Sequence, residues 1–515
     1  MTGMNSNRPR RIAIALTAAL SAASFIAQAQ DESDALRYSL LSPQGTARSM
    51  GFGNALGSVG GDISTLSVNP AGIGIYRSSE ILITPVLRFS TTDGNFLGSS
   101  ASDNNTRFTI NNFGAVFTNV QRGKRYEKSD WKTFSFGFGV NRLADFNRNY
   151  AYSGVNSGAH SSSASEVFVV DADYNPDNLN YEGTPAWFGY QSYLIDYDSA
   201  NGGWYTNVPY WGNLRQQRYV RERGGLNEYF LSFGGNYREQ LMLGLTVGIN
   251  SLRYIREASF TEVDEDNYSS VFDNFTLSER LSTTGVGINA KIGAIYKPVD
   301  QFRAGVAIHT PTAFGISETY DQSLLAYTEG YAPEDYLLTA PRNEFSYSLT
   351  TPWRAVLSGT AMLGKMGFFS VDYEYVDYRS ARYRFRSEDV AWAATYRELE
   401  TAINASIRNA YQAASNVRAG LELRFEPLLV RAGFGYYGSP YKNYSGGNRL
   451  DFSAGLGFRF DQSFFMDLGF RHSRLKQQEQ PYALPTTGGY ENVIVPVATL
   501  SNSATNVALT LGFKF

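Results

Sequence analysis

The chain has 515 residues, a formal net charge of -3, no cysteine, and Gly 49, Tyr 35 and Phe 34. The missing cysteines exclude disulfides, thiolate nucleophiles, Cys-ligated metals and a lipid-anchored N-terminal cysteine, and the near-neutral charge offers nothing to nucleic acid. Abundant glycine and aromatics with modest charge fit a strand-rich protein with aromatic girdles, for which length alone does not imply several domains.

At the N-terminus, Arg8, Arg10 and Arg11 precede an apolar run from Ile12 to Ile26, then Ala27-Gln28-Ala29. This pattern reads as a secretory signal peptide, residues 1–29, cut after Ala29 and outside the fold; the alternative is a buried N-terminal helix. No later run reaches the roughly 18 apolar residues that a transmembrane helix needs.

Residues 30–80 are not strand-like. They carry Gly45 to Gly53 and the run Gly60 to Ile73, in which Asp62 is placed to cap a helical turn that Pro70 ends. Small residues dominate, so the segment cannot build a core of its own. We expect a compact N-terminal plug inside a larger structure.

From Ile81 onward, alternating segments recur at about the 9 to 11 residues that a tilted strand needs to cross a bilayer. Strands are expected near 81–91, 108–120, 131–141, 226–237, 242–256, 281–297, 302–318, 343–362, 366–380, 415–426, 428–439, 449–461, 463–474 and 503–515. Phe134, Phe136, Phe138 and Val140 oppose Thr133, Ser135, Gly137 and Gly139, because successive side chains of a strand point to opposite faces. Short turns such as Gly364-Lys365 and Asp461-Gln462 alternate with long loops such as 92–107 and 257–280. A soluble sandwich has no reason to segregate turn lengths by parity. Residues 81–515 are therefore read as an all-β, transmembrane antiparallel β-barrel of about 14 strands with the plug in its lumen, which has more interior than the wall's side chains fill. The last strand ends at Phe513 and Phe515, read as a C-terminal assembly signal for the barrel-assembly machinery.

The glycine/alanine run with Gly45 and Gly51, then Asp62-Ile63-Ser64 leading into Asn69-Pro70-Ala71-Gly72, resembles the FadL-type outer-membrane transporters of long-chain fatty acids and other hydrophobic compounds, including the TodX-like members. The resemblance covers nearly the whole chain in architecture and mainly residues 44–73 in motif. It implies a plug motif at Gly45, Gly51, Asp62, Asn69, Pro70, Ala71 and Gly72, capture of a hydrophobic ligand on outer loops, and lateral exit through the barrel wall.

Continued alternation past Val140 would put Arg142 on the lipid face, where a charge costs about 2 to 4 kcal/mol near the midplane. An irregularity is expected around Asn141, Arg142 and Asp145, as a wall gap or as a strand ending at headgroup level. Trp187, Phe188, Tyr190, Tyr193 and Leu194, in a long loop from Leu143 to Gly225, are candidates for ligand capture or for packing between loops. Trp392, Tyr396, Leu399, Ile403 and Ile407 have helical spacing and read as a packing stripe.

On the expected inner face, Lys291, Arg303, Arg354, Arg418, Arg424, Arg431, Arg459 and Arg471 mix with Asp372, Glu374, Glu422, Asp451 and Asp467. Most are expected to pair across the lumen or hold the plug, and a free arginine could hold a carboxylate. His160, His309 and His472 accompany no nucleophile motif or metal spacing, so no enzyme, cofactor or metal is expected. The expected function is passive uptake of hydrophobic small molecules by a monomer in lipid of the bacterial outer membrane. The alternative is a barrel that binds protein in secretion or surface attachment.

Overall fold

The computed structural model describes residues 32–158, 161–209, 211–269, 271–328, 332–386, 393–460, 463–485, 490 and 493–515. The signal peptide, His160, Trp392 and the turn Asp461-Gln462 lie outside them.

Alternation builds the wall. Fourteen antiparallel strands close into a barrel: β1 (Glu80–Phe96), β2 (Ser99–Val120), β3 (Trp131–Asp145 and Arg148–Asn156), β4 (Leu214–Tyr237), β5 (Leu241–Asp264), β6 (Phe272–Val299), β7 (Phe302–His309 and Ala313–Thr328), β8 (Asn343–Thr350 and Arg354–Met362), β9 (Gly367–Asp377 and Arg382–Phe385), β10 (Ala413–Phe425), β11 (Leu428–Tyr437), β12 (Arg449–Arg459), β13 (Phe464–Glu479) and β14 (Ala498–Lys514). Strand β14 pairs with β1 from Glu80↔Lys514 to Asn95↔Thr499, which leaves no terminal edge. The seam is sealed at its end by reciprocal bonds between Ser79 and Phe515, 3.0 Å each.

Outward residues such as Ile83, Phe134, Phe138, Leu231, Ile288 and Phe452 are each more than a third exposed. At roughly 25 cal/mol per Å² of apolar surface, a continuous belt of this kind is unfavourable in water and suited to lipid. Among the described residues, no helix is long and apolar enough to cross a membrane; the strands do the crossing.

The strands run further than alternation foretold. Residues 92–107, expected as a loop, are a paired ribbon that turns at Leu97-Gly98. Residues 257–280 likewise narrow to the gap between Asp264 and Phe272, and the expected loop 143–225 shrinks to the stretch between Asn156 and Leu214. The ribbon 92–107 is rich in Ser, Asn and Thr on both faces, and residues 214–225 carry charged side chains on both, so they lack the contrast by which a strand is recognised. The helical stripe is present as a helix, Ala393–Ala410, whose Ile403 and Ile407 are buried against Tyr383, Tyr411 and the N-terminal segment.

Residues 32–79 fill the lumen. Helix α1 (Glu32–Ser39), the short helix α2 (Ala47–Gly51) and two 3-10 turns (Ile63–Ser67, Pro70–Ile75) have no separate core. Phe52 and Leu56 pack on Ala307, Val356 and Phe368 of the wall, and Ile63, Leu66 and Ile73 pack on Leu82, Val116 and Phe230.

Candidate functional site

The motif of the N-terminal segment is a set of caps and close approaches. Gly45 has φ +61, and a Cβ there would lie 2.3 Å from Ser49 Oγ. Asp62 accepts from Ser64 N at 2.9 Å and from Thr46 Oγ1 at 2.8 Å, which ties the two halves of the segment together. Asn69 caps the turn of Pro70, Ala71 and Gly72 by accepting from Ala71 N at 3.1 Å, and its amide donates to Gly57 O at 2.5 Å and to Ala294 O of β6 at 3.3 Å. The wall yields space with glycine. A Cβ on Gly293 would lie 1.9 Å from Asn69 Oδ1, one on Gly244 would lie 2.2 Å from Pro70 O, and one on Gly51 would meet Gly455 Cα at 3.0 Å.

Polar anchors surround this seat. Ala47 N donates to Thr510 at 2.8 Å, Gly57 N to Asp372 at 3.0 Å, and Ser67 Oγ to Glu228 at 2.6 Å. Glu228 also pairs with Lys291. Arg48 pairs with Glu422 at 2.9 Å, Arg303 donates to Val59 O at 2.8 Å, and His309 Nε2 meets Val68 O at 2.7 Å. Among the remaining inner charges, Arg354 pairs with Glu374, Arg418 with Asp372 and Glu374, Arg431 with Glu422 and Asp467, and Arg459 with Asp467. Arg424 lies at the exposed rim beside Glu426 and not in the lumen. His472 bonds Thr505 at 3.0 Å.

The wall changes at β3. Its pairing with β2 runs from Val120↔Thr133 to Asn112↔Asn141 and stops there. From Ser99 to Ile110, β2 pairs with β1 alone, and the second half of β3 pairs with β4 alone. Asn112 stands opposite Thr84, between the lipid-facing Ile81 and Phe89, so the missing ladder begins inside the apolar belt. Phe108 and Ile110 stand exposed at the free edge of β2. Pairing with β4 continues through Arg142↔Asn227, with a shift of register between Arg142 and Ala144. The discontinuity is therefore on the β2 side, whereas a strand simply broken near Arg142 would lose both partners. The bulge turns the Arg142 guanidinium away from lipid, onto Asp145 Oδ2 at 3.0 Å and Gly224 O at 2.8 Å. Glycine at 225 leaves it room, since a Cβ there would lie 2.5 Å from Nη2.

The N-terminal segment meets β3 at the same place. Gln44 N donates to Arg142 O at 3.0 Å and Ser42 N to Leu143 O at 2.7 Å. Ser42 to Gln44 thus bonds the carbonyls of β3 just where β2 has left it.

Beside this seam is a cavity of about 290 Å³. It lies between α1, residues 42–44, β1, β12 to β14 and residues 144–148 of β3. Arg37, Arg88, Arg148, Arg449 and Arg471 line it with Asp145 and Glu222; Leu36, Leu40, Phe146 and Leu475 add apolar surface. A transporter of purely hydrophobic cargo is expected to have an apolar cavity beside its plug, and this one is cationic. Arg88 is in phase with the inward Thr84 and Val86, so alternation alone could have marked it. Nothing local marks residues 42–44, whose partners lie about a hundred residues away.

In the outer cap, α3 (Ser165–Tyr174) packs on α4 (Pro185–Gln191), which Thr184 caps at Trp187 N, 3.2 Å. Phe188 and Leu194 are buried there with Phe168, Phe260 and Phe275. Tyr190 and Tyr193 are exposed and Trp187 is half-buried, so only these three of the five loop candidates face outward. Phe513 and Phe515 face outward at the opposite rim, with the ring of Phe515 6.0 Å from that of Phe117.

No family model matches the chain, and no curated protein matches its sequence. Among solved structures, a FadL homologue of Pseudomonas aeruginosa is similar with a TM-score of 0.54 at 12% identity, covering 93% of this chain and 100% of its own. The deltaS2 mutant of the monoaromatic hydrocarbon channel TodX is similar with a TM-score of 0.50 at 13% identity, covering 91% and 98%. At such identities the likeness is one of fold. The chain has the fold of the FadL-type outer-membrane channels, and its apolar belt agrees with that location.

Proposed function

We propose that the chain takes up hydrophobic or amphipathic small molecules across the outer membrane without an energy source, holding them in the cavity above the plug and releasing them sideways between β2 and β3. The observation that carries this reading is the seam itself. The β2–β3 ladder ends inside the apolar belt, and the carbonyls of Arg142 and Leu143 are covered instead by a short stretch of the plug, Ser42 to Gln44. Withdrawing those residues breaks two backbone hydrogen bonds to β3, about 0.5 to 1.5 kcal/mol each on a net basis, and the charge-assisted bond from Arg471 to the Gln44 side chain, about 1.5 to 3 kcal/mol, a cost that binding of a ligand can offset. Unfolding the wall would cost far more.

The outer cap supplies entry, with Tyr190, Tyr193 and Trp187 offering amphipathic rings to a ligand arriving from outside. A barrel acting as a protein partner needs no opening in its wall, and this feature favours transport. The test is uptake of a panel of labelled hydrocarbons and organic acids by cells with and without the gene. Gene-dependent uptake of at least one class is expected, and equal uptake of all of them would refute the reading.

A further inference from the structure

We propose that the outside of the wall carries, just above its apolar belt on β4 to β6, a binding site for a phosphorylated glycolipid of the outer leaflet, built by Arg221, Arg223, Arg253 and Arg280. The site faces the membrane and does not depend on what the lumen transports.

Phase and height place it. On β5, Arg253 and Glu257 continue the outward row of Leu243, Leu245, Val247 and Ile249, and the pairing of β5 with β4 and β6 runs past them without a shift of register. Arg253 is twelve residues beyond Leu241, where β5 leaves its tight turn. At roughly 3.3 Å per residue and a tilt of about 40°, it stands about 30 Å from that rim, just past an apolar band of about 25 Å. It lies opposite Thr284, one outward position beyond the exposed Val286 of the belt. Register gathers the other three: Arg221 of β4 and Arg280 of β6 flank Glu257, and Arg223 is the next outward residue of β4. With neighbouring strands about 4.8 Å apart, the four positions spread across about 10 Å of wall.

The patch is unbalanced. Arg223 and Arg280 share the carboxylate of Glu257, at 2.7 Å and 2.5 Å. Arg221 and Arg253 are exposed and have no ion pair among the described residues. Nε of Arg223 is buried without a hydrogen-bond acceptor. Asp321, opposite Arg280 on β7, is taken by Arg342 at 2.7 Å. Arginines at this height on the inner face are matched instead: Arg148 by Glu222, and Arg218 and Arg256 by Glu279 and Glu479. A chain of net charge -3 that pairs its inner arginines and leaves cations unpaired against the membrane is built to receive anions from the membrane.

Geometry sets the class. The planar fork of a guanidinium matches phosphate oxygens, and basic clusters at the membrane surface hold anionic head groups. A single phosphate engages one or two guanidinium groups, whereas four spread over three strands suit a head group phosphorylated at two places, as on a disaccharide. Ile255, between Arg223 and Ser282, gives the sugar an apolar floor, and Val247, Ile249, Val286 and Ile288 lie below for the acyl chains. Because the patch faces the leaflet, its occupant arrives from within the leaflet, which favours a lipid over a soluble polyanion.

The test uses the full chain in a neutral detergent and native mass spectrometry, with diphosphoryl lipid A, the same lipid stripped of its phosphates, and phosphatidylglycerol as probes. Diphosphoryl lipid A is expected to bind at least tenfold more tightly than either of the others. The double variant Arg221→Gln, Arg253→Gln is expected to weaken it tenfold or more, and Arg107→Gln, an exposed position on β2, to leave it unchanged. Glu257→Gln, which removes the carboxylate shared by Arg223 and Arg280, is expected to tighten binding several-fold, a gain that a merely structural role for these side chains would not produce. Barrel folding of each variant is checked by its heat-modifiable gel mobility. Equal binding of the dephosphorylated lipid or of phosphatidylglycerol, unchanged binding in the double variant, or weaker binding in Glu257→Gln would overturn the site.

Discussion

Replacing Asn69 by alanine unseats the plug. The side chain is fully buried, and it holds three bonds: Ala71 N to its Oδ1, and its amide to the carbonyls of Gly57 and Ala294. Loss of the cap costs about 0.5 to 2 kcal/mol. The Gly57 carbonyl, left buried without a partner, adds about 1 to 3 kcal/mol. Together these make about 1.5 to 5 kcal/mol, and with roughly 1.4 kcal/mol per tenfold the unseated fraction rises roughly 10- to 4,000-fold. Single-channel recording in planar bilayers reads this directly, as openings that are rare in the wild-type chain and frequent in Asn69→Ala. Asn69→Asp retains the acceptor for Ala71 and loses the amide donor, so its opening frequency is expected to fall between the two. If Asn69→Ala shows the wild-type frequency and the same resistance of residues 32–79 to protease, the seat does not depend on this side chain and the reasoning fails.

Gly293→Val is expected to reproduce the open phenotype by overpacking, at about 1 to 3 kcal/mol, because its Cβ would fall 1.9 Å from Asn69 Oδ1; a wild-type recording would contradict the close fit. In the outer cap, burial pushes the carboxyls of Glu166 and Glu262 up to about 7 from 4.5. The folded cap then binds more protons than the unfolded one between those values, so its stability falls as pH rises from about 4.5 to about 7 and levels off above, by about 3 kcal/mol for each group. Protection factors for hydrogen exchange in residues 161–194, corrected for the intrinsic pH dependence of amide exchange, should be higher at pH 5 than at pH 8, and the reverse order would sink the assignment. Phe515 is exposed and its ring lies beside those of Phe117 and Phe513. Phe515→Ser is expected to reduce the amount of barrel reaching the membrane while barely changing the urea midpoint of the folded protein; unchanged membrane yield would remove its role as an assembly signal.

How much of this was legible beforehand depended on contrast between faces. Phe134 to Val140 against Thr133 to Gly139, and Val507 to Phe515 against Ala508 to Lys514, carry the wall, its lipid face and the closing strand, because lipid on one side and a filled lumen on the other impose opposite polarities. Ser99 to Arg107 carry no contrast, since both faces of that ribbon are polar, and they read as a loop. The cap at Asp62 and the turn at Asn69-Pro70 were readable as local chemistry. What made them necessary, the glycines at 244 and 293 opposite Pro70 and Asn69, is a contact across more than a hundred residues. Arg142 signalled a disturbance through the cost of a charge in lipid, but the side on which the wall parts was set by pairing that no local pattern encodes. The loop aromatics divide for the same reason: Phe188 and Leu194 serve packing, and Tyr190 and Tyr193 face out, although their composition is alike.

Lateral release between β2 and β3 requires Ser42 to Gln44 to move away from β3. Because the chain has no cysteine, the double variant Ser42→Cys, Leu143→Cys can form one disulfide across the 2.7 Å backbone contact. Uptake of a labelled cargo by cells carrying this variant is expected to fall to the level of cells without the gene when the disulfide is formed, and to return on reduction. Wild-type uptake with the disulfide shown to be formed would contradict lateral release at this seam.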